Sequence, residues 1–361
     1  MNQLIEYGWN EERQKYWNDY IVSGGEKNYV AGRVTLEHKR MYRVATAEGE
    51  WLSVCSGAFQ HAAFERRDFP AVGDWVAVEK MPGEERGIIH TVLPRTSLFS
   101  RKAAGTTIAE QMIAVNVDIV FLVMSMNDDF NVRRLERYLV AAYDSGALPV
   151  IVLTKMDLCD NPDLYREEAQ QTAIGSDVVA VSVVTGDGID TLSKMLKNGK
   201  TAALLGSSGV GKSSLINAFC GEDRMAVQGI REDDAKGRHT TTHRELIKIP
   251  TGGILIDTPG MREFQLWNES ESLDSGFKDI ETLAEACKFR DCGHRSEPGC
   301  AIQAALAEGV LPKERYDNYL KLQKELAFLD RKMDRQAQIA ERNKWKQVTK
   351  GMRKHPSKKK K

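Results

Sequence analysis

Residues 206–213 read Gly-Ser-Ser-Gly-Val-Gly-Lys-Ser, a G-x-x-x-x-G-K-S pattern. Those residue types at that spacing suit one task, the holding of a phosphate chain. The glycines let the backbone approach a ligand closely and turn its N–H groups inward. A helix beginning at Lys212 would aim the positive end of its dipole at the same anion. Lys212 is expected to reach the β- and γ-phosphates, and the Ser213 hydroxyl to hold Mg²⁺. Nucleotide contacts are therefore expected from Gly206, Ser207, Ser208, Gly209, Val210, Gly211, Lys212, Ser213 and Ser214. The apolar run Thr201–Leu205 before the loop and Lys212–Phe219 after it supply the strand–loop–helix setting that the pattern requires.

Other segments complete a nucleotide site, but in an unusual order. Thr154-Lys-Met-Asp157 follows the apolar run Val150–Leu153 and lies upstream of the phosphate loop. A carboxylate at Asp157 can accept hydrogen bonds from guanine N1–H and its 2-amino group, a donor pair that adenine lacks. Lys155 would cover the base plane, and Thr154 stands where GTPases commonly carry Asn. Ser182, at the start of Ser182-Val-Val-Thr-Gly186, would back the base. Downstream, Asp257-Thr-Pro-Gly260 follows the strand-like Ile254–Ile256, so Asp257 can hold Mg²⁺ through water and the Gly260 N–H can approach the γ-phosphate. Between them, Gly237-Arg-His-Thr-Thr-Thr-His243 is placed as a switch loop. One of Thr240, Thr241 and Thr242 would complete the Mg²⁺ shell, with Thr241 chosen. Met261 stands where many GTPases place a water-orienting Gln. His239 is the candidate replacement, since a neutral imidazole can orient or deprotonate water, and His243 is second choice. The motif order is that of a GTPase whose chain has been circularly permuted.

A second chemistry is written near the C-terminus. Cys287, Cys292, His294 and Cys300 offer three thiolates and one imidazole within fourteen residues. A closed set of four such ligands predicts one structural Zn²⁺ per chain. Lys288, Arg290 and Arg295 beside it form a basic surface suited to RNA phosphate.

These residues need elements to hold them. Residues 1–27 form a polar and aromatic extension that reads as a short helix packing on something. Residues 28–95 carry about five short strands, among them Val30–Val34, Met41–Val44, Trp51–Val54, Asp74–Val78 and Gly87–Val92, which predict a small OB-like β-barrel. Arg33, Lys39, Arg40, Tyr42 and Arg43 are candidates for a nucleic-acid face on it; a protein-docking role fits the same barrel. Residues 95–110 read as a loop or linker. Over 110–270, buried strands at Val117–Met124, Val150–Leu153, Val178–Val181, Thr201–Leu205 and Ile254–Asp257 alternate with helical segments such as Asn131–Asp144. That alternation predicts a mostly parallel sheet covered on both faces. From about Ser275 the chain reads as helical, turned at the cluster by Gly293, Pro298 and Gly299. A helical zinc-binding domain is assigned to 271–335 and a basic tail to 336–361. The fold class is thus multidomain α/β: barrel, central permuted P-loop GTPase domain and C-terminal zinc-binding domain.

Formal charge sums to zero over 361 residues but is unevenly spread. Residues 331–361 hold thirteen Lys and Arg against Asp334 and Glu341, which suits an acidic partner such as nucleic acid and equally a solvated tail. No run of about 18 apolar residues and no basic-then-apolar start is present, so no membrane span or secretion signal is expected. Six cysteines, three of them isolated, point to a reducing cytoplasm rather than disulfides.

From about residue 28 to 330 the chain resembles the circularly permuted, ribosome-associated GTPases of the RsgA (YjeQ/YloQ) family. The resemblance rests on Pro70-Ala-Val-Gly-Asp-Trp75, Thr154–Asp157, Gly206–Ser213, Gly237–His243, Asp257–Gly260 and the Cys/His cluster. It implies slow hydrolysis of GTP to GDP, accelerated by the small (30S) ribosomal subunit, contact with its rRNA, a role in late maturation of that subunit, and a catalytic His at His239. A monomer is expected. A nucleotide-gated rRNA-binding scaffold with incidental hydrolysis, and an ATPase of similar fold, are the alternatives.

Overall fold

The computed structural model describes residues 2–24, 28–38, 40–102, 110–222, 244–256 and 276–328, with Leu273 and Arg331. His239, Thr240, Thr241, Thr242, His243, Asp257, Gly260 and the basic tail lie outside the described residues. Two compact units result, residues 1–104 with 109–266, and 105–108 with 267–361.

The first unit begins with strands β1 (Val30–His38), β2 (Met41–Thr46), β3 (Gly49–Cys55), β4 (Trp75–Lys80) and β5 (Arg86–Val92). They close into a barrel in the order β1-β2-β3-β5-β4. Inward residues alternate along each strand, and Val34, Tyr42, Val44, Trp51, Val76, Val78 and Ile89 fill the interior. β1 and β4 are covered on both sides, since Ala31 through Thr35 and Trp75 through Val78 are all buried. The covered outer side of β1 removes Arg33 from the expected nucleic-acid face, and the inward position of Tyr42 on β2 removes a second residue. Arg33 is 1% exposed and donates to the carbonyls of Gly73, Tyr7 and Asn116. Tyr42, also 1% exposed, lies in the barrel core. Arg40 and Arg43 remain exposed, and Lys39 lies outside the described residues.

The N-terminal extension forms two helices, Asn2–Ile5 and Glu11–Val22, the second capped by the Asn10 side chain. Trp9 meets Trp75 edge-to-face at 4.8 Å, and Leu4 is buried with Ala31, Trp75 and Leu93. Such an aromatic pair contributes about 1 kcal/mol beyond its area.

Part of the segment expected as linker is a hairpin. β6 (Leu98–Lys102) pairs antiparallel with β7 (Glu110–Val115), and Phe99, Met112 and Val115 are buried. Burial of these apolar residues fixes residues 98–102 and 110–115 as strands, although the sequence around Arg101-Lys102 reads as loop.

The remaining strands are β8 (Ile119–Ser125), β9 (Leu148–Thr154), β10 (Asp177–Ala180), β11 (Thr201–Leu205), β12 (Leu246–Lys248) and β13 (Ile254–Ile256). They form one sheet in the order β10-β9-β8-β11-β13-β12, parallel except for β12. On one face Phe121, Val123 and Leu204 pack with Leu192 of helix Ile189–Met195 and with Leu215 and Phe219 of helix Lys212–Cys220. Helices Val132–Ser145 and Pro162–Thr172 also pack on the sheet, the former through Leu135, Tyr138, Leu139 and Ala142. The permutation is visible here. β11 carries the phosphate loop and lies between β8, earlier in the chain, and β13, later in it.

In the second unit, helices Lys278–Glu285 and Ala301–Ala307 and a helical stretch over 313–328 surround Phe277, Ile280, Ile302, Leu322 and Leu326, all buried. Arg315 clamps Asp279 through two 2.7 Å hydrogen bonds. Burial acts to raise the Asp279 carboxyl, but Arg315 outweighs it and holds the group below its ordinary range.

Candidate nucleotide and metal sites

In a parallel sheet with helices on its faces, ligands collect at the carboxyl ends of the strands. β9 ends at Thr154 and β11 at Leu205, so the base-reading and phosphate-binding segments leave the same edge. Only β8 separates them. β13, parallel to β11, ends with Ile256 at that edge too.

The phosphate loop passes directly over β8. A Cβ on Gly206 would lie 2.4 Å from the Val123 carbonyl oxygen, so no larger residue fits there. Gly211 has φ +96° and precedes helix Lys212–Cys220 at its capping position. Val210 inserts into the core and anchors the loop from below. Lys212 Nζ donates to the carbonyls of Gly206 and Ser207 at 2.7 and 2.6 Å. The ammonium thus lies within the curve of the loop, where phosphate oxygens would take over its hydrogen bonds. Ser213 and Ser214 open the helix, half-buried.

The base-reading segment is bonded to this loop. Thr154 is 2% exposed, and its Oγ1 lies 2.6 Å from the Val210 carbonyl and 3.2 Å from that of Met124. A hydroxyl has one proton to donate, and the shorter contact identifies Val210 as its acceptor. Lys155 adopts φ +61°, which turns the chain into the short helix Met156–Leu158 and presents Asp157 to solvent. Fully buried Ser182 donates to Asp157 Oδ1 at 2.7 Å and accepts from the Thr185 N–H at 3.1 Å. Ser182 therefore fixes the carboxylate that the sequence selected for guanine.

One neighbour was not anticipated. Ser207 Oγ donates to Asp129 Oδ2 at 2.8 Å. Asp129 lies just beyond β8, at the same carboxyl edge as the phosphate loop and the base-reading segment, and that position was the signal available in the sequence.

In the second unit the four expected ligands come together. The ligand atoms of Cys287, Cys292, His294 and Cys300 all lie within 4.8 Å of one another. Cys287 Sγ is 3.9 Å from Cys300 Sγ, and these sulfurs are 3.5 and 3.6 Å from His294 Nδ1. Tetrahedral Zn²⁺ sets about 3.8 Å between sulfurs and about 3.5 Å between sulfur and nitrogen. Cys287, His294 and Cys300 already stand at the spacing a tetrahedral metal ion requires, and Cys292 lies close enough to complete the set. Burial opposes ionisation of Cys287, but the N–H groups of Ala301 and Ile302 and the neighbouring thiols hold this thiol below its ordinary range. That favours the thiolate, the form that ligates metal, at Cys287. At Cys292 the His294 N–H acts in the same direction, but desolvation and the neighbouring thiols outweigh it and push that thiol up to about 11, so the cluster without metal holds its charge at Cys287. Glu297 braces the loop by accepting from the N–H groups of Arg295, Ser296 and Gly293. Those donors pull its carboxyl down to about 2. Lys288, Arg290 and Arg295 are exposed.

A sequence model of the RsgA GTPase family matches residues 92–267. An ABC transporter model also matches residues 189–354, a span that includes the phosphate loop. The relatives decide between them. A small ribosomal subunit biogenesis GTPase RsgA of Opitutus terrae is 45% identical over 93% of this chain and 95% of its own length. The chain belongs to the RsgA GTPase family. An RsgA of Methanosarcina acetivorans is 40% identical over 96% of this chain and 92% of its own. The crystal structure of YjeQ from Thermotoga maritima superposes with a TM-score of 0.62 at 32% identity, over 83% of this chain and 99% of that one. YloQ, described as a circularly permuted GTPase, gives a TM-score of 0.59 at 27% identity over 83% and 96%. As a member of the RsgA family the chain is a GTPase, and its sheet order is that of a permuted P-loop domain.

Proposed function

We propose that this GTPase binds the small ribosomal subunit, acts in its late maturation, and hydrolyses GTP faster when bound there. The RsgA relatives from Opitutus terrae and Methanosarcina acetivorans are named for small-subunit biogenesis, and the chain matches nearly the whole of each. The observation that carries the nucleotide reading is the hydrogen bond from Thr154 to Val210, which unites base-reading and phosphate-binding segments 56 residues apart in the chain. On this reading Asp157 selects guanine, with Lys155 over the base and Ser182 behind it. Residues Gly206–Ser214 hold the phosphates. Ser213, Thr241 and Asp257 hold Mg²⁺, Gly260 faces the γ-phosphate, and His239 orients the attacking water. Cys287, Cys292, His294 and Cys300 hold one structural Zn²⁺. The working domains are an extension over 1–27, the barrel over 28–95, the GTPase over 110–270, the zinc domain over 271–335 and a basic tail over 336–361. The protein acts as a cytoplasmic monomer on rRNA. Among the described residues, no helix is long and apolar enough to cross a membrane.

Phosphate release from GTP, measured with and without purified small subunits, tests the proposal. Stimulation by the subunit is expected. Equal rates would favour a nucleotide-gated scaffold instead.

A further inference from the structure

We infer that Asp129 is a positioning residue for the phosphate loop, acting through Ser207. This rests on the reading of Gly206–Ser213 as the GTP site.

Ser207 is bound at both ends. Its carbonyl accepts from Lys212 Nζ at 2.6 Å, and its hydroxyl donates to Asp129 Oδ2 at 2.8 Å. It is 8% exposed. The orientation of its peptide units therefore depends on a carboxylate 78 residues earlier in the chain.

Asp129 is itself held in place. Asn127 Oδ1 accepts from Ser125 Oγ at 2.7 Å and from the Asp129 N–H at 3.1 Å, which fixes the turn leaving β8. Phe130 packs edge-to-face on Tyr165 at 5.3 Å. Arg134 Nη2 lies 3.0 Å from Asp129 Oδ2 and also donates to the Asp129 carbonyl. Asn131 caps the helix that carries Arg134.

The charge balance explains why both residues are needed. A carboxylate hydrogen-bonded to a phosphate loop repels the polyphosphate that the loop must hold. Arg134 offsets that charge without displacing Ser207, since it approaches the carboxylate from its own helix. The pair supplies a strong, charge-assisted acceptor for Ser207 with little net field at the phosphates. Asp129 thus orders the loop before nucleotide arrives, and preorganisation of this kind improves binding rather than the chemical step.

The test uses the full chain, fluorescent N-methylanthraniloyl GTP and GDP for binding, and steady-state GTP turnover. Asp129→Ala is expected to weaken both nucleotides by about tenfold, the loss expected for one charge-assisted hydrogen bond. Turnover at saturation should stay within about twofold, with KM carrying the loss. Ser207→Ala should weaken binding by a similar factor, and the double variant should bind no worse than either single one. Asp129→Asn, which keeps an acceptor, should bind within about threefold of the parent protein. Arg134→Ala, which leaves the carboxylate uncompensated, should weaken GTP more than GDP, and Asp129→Asn added to it should restore binding. The proposal is overturned if Asp129→Ala binds like the parent, or if the Asp129→Ala and Ser207→Ala losses add. It is also overturned if Asp129→Asn binds as poorly as Asp129→Ala. Failure of the unaltered protein to bind either nucleotide would overturn the GTP reading as well, and so is distinguishable.

Discussion

The Thr154 hydroxyl lies 2.6 Å from the Val210 carbonyl, a hydrogen bond that joins the end of β9 to the phosphate loop after β11. The side chain that departs from the common Asn therefore contacts the loop instead of standing idle. Thr154→Val keeps the shape and removes the donor, leaving a buried carbonyl unsatisfied at a cost of about 1–3 kcal/mol. GTP and GDP should both bind about tenfold more weakly, in keeping with that energy. The preference for guanine over adenine should persist, because Asp157 is untouched. Titration with GTP, GDP and ATP checks this, and a variant that lost base selectivity alone would contradict the assignment.

Asp157→Asn should relax the guanine preference, because the amide replaces one of two acceptor oxygens with a donor. Ser182→Ala should have a smaller effect in the same direction. It frees the carboxylate from its 2.7 Å hydrogen bond without removing it. The GTP-to-ATP affinity ratio should fall in the order parent, Ser182→Ala, Asp157→Asn. Any other order would separate Ser182 from base reading.

Much of this arrangement was legible in the sequence because continuous apolar runs mark strands buried on both faces. Thr201–Leu205 was located to the residue, and Val150–Leu153 falls within Leu148–Thr154. The closed barrel was readable from five short alternating runs. What escaped was decided by distant packing. The Arg33 side chain, expected at the surface, is buried because β1 is covered on both sides, which no local pattern announces. β6 and β7 are held by burial of Phe99 and Met112, though the intervening residues read as loop. Asp129 bears no motif and gains its place only when β8 lies beside β11.

The barrel depends on one buried ion pair. Asp74 is fully buried, accepts from Arg95 at 2.7 and 2.8 Å and from the Ala71 N–H at 2.8 Å. Burial pushes its carboxyl above the ordinary 3.8 even against the pull of Arg95. Arg95→Met should cost about 3–5 kcal/mol by leaving a buried charge uncompensated. The sign with pH follows from linkage. A carboxyl raised in the folded state binds its proton more tightly there than in the unfolded chain, so its penalty vanishes at acid pH and grows as pH rises. The variant should therefore recover part of its lost stability between pH 8 and pH 5. Urea unfolding at both values measures this, and a pH-independent deficit would show that Asp74 does not carry the effect.

Metal should be integral to the second unit. The cluster spans the loop between helices Lys278–Glu285 and Ala301–Ala307, and one ligand, Cys300, also caps the second helix by accepting from the Gln303 N–H at 3.5 Å. With the ion gone, three thiols and an imidazole remain packed with nothing between them, and the loop loses its cross-link. Metal analysis of the purified protein should find about one zinc per chain, the stoichiometry of a closed four-ligand site. Chelation, or Cys287→Ala, should render residues 286–300 sensitive to protease. GTP binding should survive, because the nucleotide contacts assigned above all come from the other unit. A protein that carries no metal as purified, and whose 286–300 loop resists protease equally with and without chelator, would remove zinc from the account and leave the GTP site standing.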